Sequence, residues 1–298
     1  MHDIFSKIIS TKFYKFMPMH FLGATFEKLS YGVLLAVGWK RKTVFANRTL
    51  VYRENPSDSQ AFYKQMLGHL THHVAEILFD FNKFKKLPPH VECYPYKKDG
   101  FIYELAPGSD AVLLKMRQGG IFLTAHYGNY EAIGPWLCRL GIPLKASYIP
   151  LKPSWLNHLV ESRLRSVNGQ SYAINAKSPR DFLRLLDQKQ LFCLLADQDS
   201  RVASAEMGQL LSQDVHVNPL PDFLLKHRPH TPVFVCWLEE YRQLKILHAQ
   251  EIAPENGTIA LSYNRWLESR IKENPALWYS WTHRRFYSCT PQNYSKLE

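Results

Sequence analysis

The 298-residue sequence lacks the short motifs by which several large enzyme classes are recognised. It contains no Gly-x-Ser-x-Gly turn, no Gly-x-x-x-x-Gly-Lys-Ser/Thr phosphate loop, no Gly-x-Gly-x-x-Gly run and no His-Glu-x-x-His zinc motif. Each of these motifs works because its residues stand at a fixed spacing on a defined turn or helix. Their absence leaves a serine hydrolase, an NTPase, a dinucleotide-dependent enzyme and a zinc protease without support.

Long hydrophobic runs are also missing. The sequence has no stretch of roughly 20 uninterrupted apolar residues, the length that crosses a bilayer as a helix. Residues 13–39 are aromatic-rich but are interrupted by Lys15, His20, Glu27 and Lys28, and we expect no cleaved secretory signal here. This segment fits two structures equally well. It is either an interfacial amphipathic segment anchored by aromatic residues and lysines, or a pair of helices packed on the rest of the protein.

The five cysteines are scattered and include no Cys-x-x-Cys pair. Cys193 and Cys236 lie inside apolar runs, where a buried reduced thiol is the ordinary outcome. An odd number of cysteines in such surroundings predicts a protein of a reducing compartment rather than a disulfide framework.

Positive charge is in excess, with a formal net charge of +11. A basic surface favours anionic partners, namely phospholipid headgroups, phosphorylated glycolipids, an acidic carrier protein or nucleic acid. Charge alone does not choose among these partners. No recognised nucleic-acid-binding motif accompanies the charge, so we expect no nucleic acid partner.

The most informative feature that is present is the run His126-Tyr127-Gly128-Asn129-Tyr130-Glu131, which directly follows an apolar run at residues 120–125. The apolar run predicts a buried strand, and His126 would lie at its carboxyl end, where open α/β sheets bind their ligands. A turn at Gly128-Asn129, with Asn129 capping the next helix, lets the Glu131 carboxylate meet the imidazole. The pair would act as a general base and its orienting partner. A histidine satisfied by backbone groups and a helix-capping glutamate is the structural alternative.

Further candidates lie later in the chain. Asp197 follows an apolar run at residues 191–196, so it reaches the same edge of the predicted sheet. It can order a pocket, bind a polar acceptor group or cap a turn. Arg180, at the start of a predicted helix, can bind phosphate, polarise a carbonyl oxygen or pair with a carboxylate. Arg163 and Arg165 lie on a predicted helix, where they contact phosphate or form a solvated face.

The order of predicted elements indicates an α/β protein with a helical N-terminal region. Residues 1–85 are predicted to be mainly helical and membrane-associating, and residues 86–298 are predicted to form the catalytic α/β domain. The basic stretch at 82–87, followed by Pro88-Pro89, is predicted to be a loop at this boundary. Residues 200–221 are predicted to be a loop near the site.

The predicted strands are 120–125, 144–148, 191–196, 232–237 and 244–248, and the predicted helices are 109–117, 155–166, 178–188 and 259–273. Their alternation predicts a mixed, largely parallel sheet covered by helices.

With these motifs the sequence resembles the lysophospholipid acyltransferase superfamily, and within it the bacterial lipid A biosynthesis (late, secondary) acyltransferases. The resemblance covers nearly the whole chain. It rests on Trp39-Lys40-Arg41-Lys42 with Asn47, His126-Tyr-Gly-Asn-Tyr-Glu131, Tyr148-Ile149-Pro150-Leu151, Arg180, Ala196-Asp197-Gln198 and His283-Arg284-Arg285-Phe286. Ile149 stands where relatives commonly have a basic residue, and Asn218-Pro219 replaces a glycine-containing stretch. Both departures concern the acceptor more than the reaction.

The resemblance implies transfer of a fatty acyl group from an acyl thioester, on acyl carrier protein or coenzyme A, to a hydroxyl of a phosphorylated glycolipid, a lipid A precursor. His126 would be the general base and Glu131 its orienter, with neither a metal nor another cofactor. Direct attack is expected because no activated serine or cysteine is evident. The protein would lie on the anionic cytoplasmic face of the inner membrane, as a peripheral or monotopic protein. The implied substrate-binding residues are Arg180, Asp197, Gln198, Arg163, Arg165 and Tyr148.

Two other functions stay open at this point. The acceptor can be another membrane lipid, such as an amino-lipid or another glycolipid. Alternatively, the chain can be an inactive membrane-bound relative that acts through contacts alone. The intact pair of His126 and Glu131 argues against the inactive relative.

Overall fold

The computed structural model describes residues 19–148, 150, 152, 154–175, 178–202, 204–241 and 243–297. The α-helices are α1 (Met19–Ala36), α2 (Arg41–Tyr52), α3 (Pro56–Phe79), α4 (Ser109–Met116), α5 (Tyr130–Arg139), α6 (Ser154–Arg163), α7 (Pro179–Asp187), α8 (Leu220–His227) and α9 (Ile259–Glu273). Short 3₁₀ helices are Phe81–Lys86, Val91–Cys93, Pro275–Leu277, Tyr279–Thr282 and Pro291–Leu297. The first described elements are therefore helices, and from Tyr96 onwards strands and helices alternate.

The strands form one large sheet and two small hairpins. They are β1 (Tyr96–Lys98), β2 (Phe101–Leu105), β3 (Gly120–Thr124), β4 (Leu144–Ser147), β5 (Ser166–Val167), β6 (Gln170–Ser171), β7 (Ala173–Ile174), β8 (Leu191–Leu195), β9 (Glu206–Leu210), β10 (Gln213–Val217), β11 (Val233–Tyr241) and β12 (Leu244–Ile252). The large sheet has the order β1-β2-β12-β11-β3-β8-β4-β7. Only β1 with β2 and β11 with β12 are antiparallel in it. The predicted α/β class with a mixed, largely parallel sheet covered by helices is confirmed.

Strand β3 enters the centre of the sheet through two glycines. A Cβ at Gly119, where φ is +87°, would lie 2.5 Å from the backbone of Lys189, and one at Gly120 would lie 2.7 Å from the carbonyl oxygen of Pro232. Glycine allows both the positive φ and the close approach. All five residues of β3 are buried, as expected of a parallel strand covered on both faces. This places the residues after β3 at the carboxyl edge of the sheet centre.

Two loop predictions were wrong. Residues 206–217, inside the predicted loop 200–221, form the hairpin of β9 and β10. Its turn uses Leu211 and Ser212, both with positive φ, whereas a sequence signal for such a turn would be Asn-Gly or Asp-Gly. Residues 82–86 belong to the 3₁₀ helix Phe81–Lys86 rather than to an open loop, and Lys83 and Phe84 in it are buried.

The N-terminal helices share a core with the sheet. Phe62 and Met66 of α3 belong to the same buried cluster as Ile121 of β3, while Trp136 of α5 belongs to the cluster on the opposite face of the sheet. The boundary near residue 85 stays a prediction, since both regions contribute to one core. The five cysteines are all unpaired.

Helix α1 is apolar on two sides. One side packs on α3, where the rings of Phe26 and Phe79 lie 5.4 Å apart. The other side leaves Leu29 and Val33 exposed by 66% and 59%, and Val37, directly after the helix, is 69% exposed. Of the predicted segment 13–39, residues 13–18 lie outside the described residues. No helix in the described part of the chain has both the length and the apolar composition needed to cross a membrane.

Candidate active site

The candidate site lies where the neighbouring strands β3 and β8 end. His126 comes two residues after β3, and Asp197 comes two residues after β8. Because these strands are parallel and pair Thr124 with Leu195, the two residues leave the sheet side by side. Nδ1 of His126 lies 2.8 Å from Oδ1 of Asp197, and the backbone N–H of His126 donates to Oδ2 at 3.1 Å. One carboxylate thus holds both the ring and the backbone of His126.

Asp197 is fully buried and receives further hydrogen bonds. Nε1 of Trp278 donates to Oδ2 at 2.9 Å, and the hydroxyl of Ser280 donates to the same oxygen at 2.6 Å. Burial raises the pKa of Asp197. The charge and hydrogen bond of His126 and these two donors lower the pKa by more, so that it lies well below its usual range. The carboxylate is therefore ionised at neutral pH, and its orientation is set from three directions.

The imidazole of His126 is poised to accept a proton at Nε2. Burial lowers its pKa, but the charge and hydrogen bond of Asp197, with a smaller contribution from Glu131, raise the pKa above its ordinary value. When Nδ1 donates to the carboxylate, the free lone pair is on Nε2. The side chain is 20% exposed, so this nitrogen can meet a ligand. These are the requirements of a general base.

Glu131 binds Arg165 rather than His126. Its Oε1 accepts a hydrogen bond from Arg165 at 2.8 Å, and both side chains are 16% exposed. No hydrogen bond joins Glu131 to His126, although the structure describes both residues. Helix α5 begins already at Tyr130, so Glu131 lies in its first turn. The contact that the sequence assigned to Glu131 is therefore made by Asp197.

A cavity of about 520 Å³ opens beside the His126 ring. It lies between one face of β3, β8 and β4 and helix α5. Tyr148 and Gln198, which follow the ends of β4 and β8, make its entrance at the sheet edge polar together with Arg165, whereas Phe122 and Leu144 line it farther back along the strands. Phe122 lies two residues before the end of β3, about 7 Å back along the strand at about 3.3 Å per residue. The cavity is therefore an apolar slot with a charged entrance.

Gly134 shapes one wall of this slot. A Cβ at Gly134 would lie 2.7 Å from the hydroxyl of Tyr172, which donates to the carbonyl oxygen of Leu164 at 3.2 Å. Glycine at this position lets α5 approach Tyr172 closely. Both residues line the cavity.

The structure brings some of the predicted substrate-binding residues to the slot and leaves others away from it. Tyr148, Arg165 and Gln198 line it, and the guanidinium of Arg165 lies 5.3 Å from the ring centroid of Tyr148. Arg180 is exposed in the first turn of α7 and does not line the slot. Arg163 ends α6, but its side chain lies outside the described part of the chain, as do Ile149 and Leu151.

Segment 277–283 contributes site residues that the sequence did not assign. Besides the two donors to Asp197, it contains His283, whose ring lies 6.0 Å from that of His126 and whose Nε2 lies 3.4 Å from the amide nitrogen of Gln198. The resemblance included His283 but gave it no role. The signal in the sequence was the motif His283-Arg284-Arg285-Phe286 with aromatic residues on both sides of it.

The N-terminal helices contact the segment that contains His283. Partial burial and the charge of His126 lower the pKa of His283, and Lys40 lowers it further, against the opposing charge of Asp197. Asn47 of α2 donates to the carbonyl oxygens of Trp281 and His283 at 2.7 and 2.9 Å. Asn47 thereby holds helix α2 against the segment that contains His283.

A larger cavity of about 1070 Å³ lies elsewhere, between α7, α8 and the end of β12. It is lined by Asp222, Lys226 and His230 among apolar residues, and it includes neither His126 nor Asp197. No histidine–carboxylate hydrogen bond is found among its described lining residues, so we place the chemistry in the smaller slot. Over the ranges that the structure covers, no group of three His, Cys, Asp or Glu side chains is arranged to hold a metal ion.

Fold and site together define an α/β protein with a histidine–carboxylate pair at the entrance of an apolar slot. Such a site can take a proton from a hydroxyl group and accommodate a hydrocarbon chain beside it. A family model described as bacterial lipid A biosynthesis acyltransferase matches residues 9–288, so the chain belongs to that family and is an acyltransferase. Among curated proteins no sequence matches the chain.

Proposed function

We propose that the protein transfers a fatty acyl group from the thioester of an acyl carrier protein to a hydroxyl of a phosphorylated glycolipid, a lipid A precursor. The observation that carries this proposal is the apolar slot, which starts at the ring of His126 in a member of the lipid A acyltransferase family. A base at the mouth of a hydrocarbon site places the thioester carbonyl next to the attacking hydroxyl.

His126 performs the proton transfer. Nε2 accepts the proton of the acceptor hydroxyl as its oxygen attacks the thioester carbonyl, which forms the new C–O bond. The tetrahedral intermediate then expels the thiolate, and the imidazolium returns the proton to sulfur. Asp197 keeps Nδ1 protonated and balances the imidazolium charge, as its 2.8 Å contact and its lowered pKa support.

Arg165 and Glu131 form the polar wall of the site. The guanidinium is held by the 2.8 Å hydrogen bond to Glu131 and lines the slot near His126. Arg165 is therefore suited to face either the oxygen that gains charge during attack or an anionic group of the acceptor. Gln198 and Tyr148 complete this entrance. Arg163 and Arg180 stay predictions, as contacts of an acceptor that extends beyond the slot.

The protein binds the cytoplasmic face of the inner membrane as a peripheral or monotopic protein. The exposed apolar side of α1, with Leu29 and Val33, continues into the exposed Val37 and is followed by the exposed basic residues Lys40, Arg41 and Lys42. Apolar insertion and attraction to anionic lipid act together at such a surface. Asn47 of α2 binds the segment that carries His283, so this basic surface adjoins the site.

Mass spectrometry of lipid products tests the proposal. The purified protein is incubated with a lipid A precursor and, in parallel, with acyl carrier protein and coenzyme A thioesters of several chain lengths. We expect a product heavier by one acyl group, formed faster from the carrier protein thioester. Acylation of an amino-lipid or another glycolipid in place of the lipid A precursor would overturn the acceptor. The absence of transfer to every lipid would favour an inactive relative.

A further inference from the structure

A buried ionic cluster holds the loop that follows β3, and the reaction described above does not use it. The cluster is centred on Glu76 of α3, whose carboxylate accepts hydrogen bonds from Lys83, from Lys245 at 2.8 Å and from the side-chain amide of Asn129. These four residues are less than a tenth exposed. A buried charge needs such partners, and here one of the three is an amide from the loop itself.

The same cluster reaches the loop a second time. Lys245 also binds Glu240, and Oε2 of Glu240 lies 2.9 Å from Nε2 of His73. Nδ1 of His73 lies 2.5 Å from the hydroxyl of Tyr279, and the backbone N–H of Tyr279 donates to the carbonyl oxygen of His126 at 2.7 Å. His73 and Glu76 lie one turn apart on α3. They therefore connect to the two ends of the segment from His126 to Asn129.

The side chain of Asn129 binds Glu76 instead of capping its own helix. It is the N-cap residue of α5, yet its side chain makes no capping hydrogen bond. Its amide nitrogen faces Glu76, and its Oδ1 is buried without a hydrogen-bond partner. Because Glu76 only accepts, the nitrogen must face it, so this orientation is fixed chemically. An N-cap asparagine that contributed only to helix stability would instead bind the first turn of its own helix.

We propose that Asn129 is a positioning residue for His126, and that Glu76 and His73 on α3 hold the catalytic loop through Asn129 and Tyr279. This inference rests on the proposed function, in which His126 is the base. Asn129 acts through the backbone of the loop and does not line the slot. Since α1 packs on α3, the cluster also links the helix of the exposed apolar surface to the catalytic loop.

The kinetic test compares Asn129→Ala with the same substitution at Asn55, the N-cap residue of α3. The side chain of Asn55 caps that helix by accepting the backbone N–H of Asp58 at 3.0 Å, so Asn55→Ala removes a structural contact of the same residue type away from the site. We expect both variants to lose thermal stability. Only Asn129→Ala should lose kcat, by up to ~10²-fold, the scale of a 1 Å misplacement, with KM for the acyl donor unchanged. Equal kcat in the two variants would overturn the proposal.

A charge exchange tests the direct contact. Asn129→Asp places a carboxylate against Glu76 and should lower kcat at least as much as Asn129→Ala does. In the double variant with Glu76→Gln, the amide is at position 76 and the carboxylate is at position 129. One amide then faces one carboxylate again, and most of the lost kcat should be recovered. A double variant as slow as Asn129→Asp would contradict the positioning role. Tyr279→Phe removes the hydroxyl that His73 binds but keeps the backbone donor, so it tests the other end of the segment if Asn129 variants fail to fold.

A substrate-free measurement separates this inference from the proposed function. The proton between Nδ1 of His126 and Asp197 should give a low-field NMR signal that His126→Ala removes. We expect the signal to broaden in Asn129→Ala and to stay sharp in Asn55→Ala. One outcome is that the wild type transfers no acyl group while the signal still broadens only in Asn129→Ala. In that case the proposed reaction is wrong and the positioning role of Asn129 stands. If His126→Ala abolishes transfer while Asn129→Ala leaves kcat and the signal unchanged, the positioning is wrong and the reaction stands.

Discussion

Asp197 and His126 leave two neighbouring parallel strands in the same register, and the 2.8 Å contact between Oδ1 and Nδ1 decides which nitrogen of the imidazole faces the slot. The two residues are 71 positions apart in the chain. Glu131, only five residues from His126, binds Arg165 instead. Strand pairing therefore selects the carboxylate that contacts His126, and the carboxylate nearby in the chain pairs with Arg165 instead.

Replacement of His126 by alanine should abolish acyl transfer in a folded protein. The substitution removes a proton acceptor that acts in the transition state, which is worth on the order of 10²–10⁴ in rate. Product formation is measured by mass spectrometry, and folding by circular dichroism. His158→Ala, at an exposed position on α6, is the matched control and should leave the rate unchanged. Near-normal turnover by a folded His126→Ala protein would refute the mechanism.

The pH profile of kcat/KM should change in a defined direction in Asp197→Asn. The neutral imidazole is the active form, so the rate rises as pH passes the pKa of His126. Asp197 raises that pKa, so the acidic limb of the wild type should lie above the ordinary value of about 6.5. Loss of the carboxylate charge should move the limb to lower pH and also lower the maximum rate. A limb that stays in place would mean that another group titrates.

Glu131→Gln should affect stability and substrate binding more than proton transfer. It leaves the guanidinium of Arg165 without its charged partner, and breaking a largely buried pair costs about 3–5 kcal/mol. Addition of Arg165→Met should recover part of that loss, which chemical denaturation measures. The rate should fall less than in His126→Ala. Two results together would restore Glu131 as the orienter of His126. In the double variant of Glu131→Gln and His126→Ala, the losses of rate would be non-additive. In the double variant of Glu131→Gln and Arg165→Met, the losses of stability would be additive.

Narrowing of the slot should shift the preferred acyl chain towards shorter donors. Ala146→Leu adds bulk to a strand residue inside the slot, so long chains should lose more kcat/KM than short ones. Ala253→Leu is the same substitution in the larger cavity and should change nothing. Competition between donors of different length in one reaction measures the preference. A shift caused by Ala253→Leu alone would place the acyl chain in the larger cavity.

Membrane binding should depend on the exposed side of α1. Val33→Asp puts a charge at the centre of the apolar surface and should release the protein from anionic vesicles in a sedimentation assay. Leu114→Asp, at a site 41% exposed on α4, should not. Alkaline or high-salt washing should release much of the wild-type protein, because the attraction is interfacial and partly electrostatic. Complete resistance to alkaline extraction would show insertion instead.

Local patterns in the sequence were sufficient to identify several parts of the molecule. The apolar run before His126 predicted strand β3 and placed the histidine at the carboxyl edge of the sheet, and the run before Asp197 did the same for β8. The motifs from His126 to His283 were sufficient for the family, which the family model confirms. The hairpin of β9 and β10 was missed because its Leu211-Ser212 turn has no ordinary turn residues.

Only the tertiary structure decided which side chains meet. Strand order and register bring Asp197 to His126, and no short-range pattern reports a contact between strands that far apart in the chain. In the same way, Trp278 and Ser280 reach Asp197, and Glu76 reaches Asn129, from distant segments. The sequence determined the elements and the chemical types at the sheet edge, because these depend on local periodicity. The pairing of charges depended on packing, because a buried carboxylate binds whichever donors the folded chain places around it.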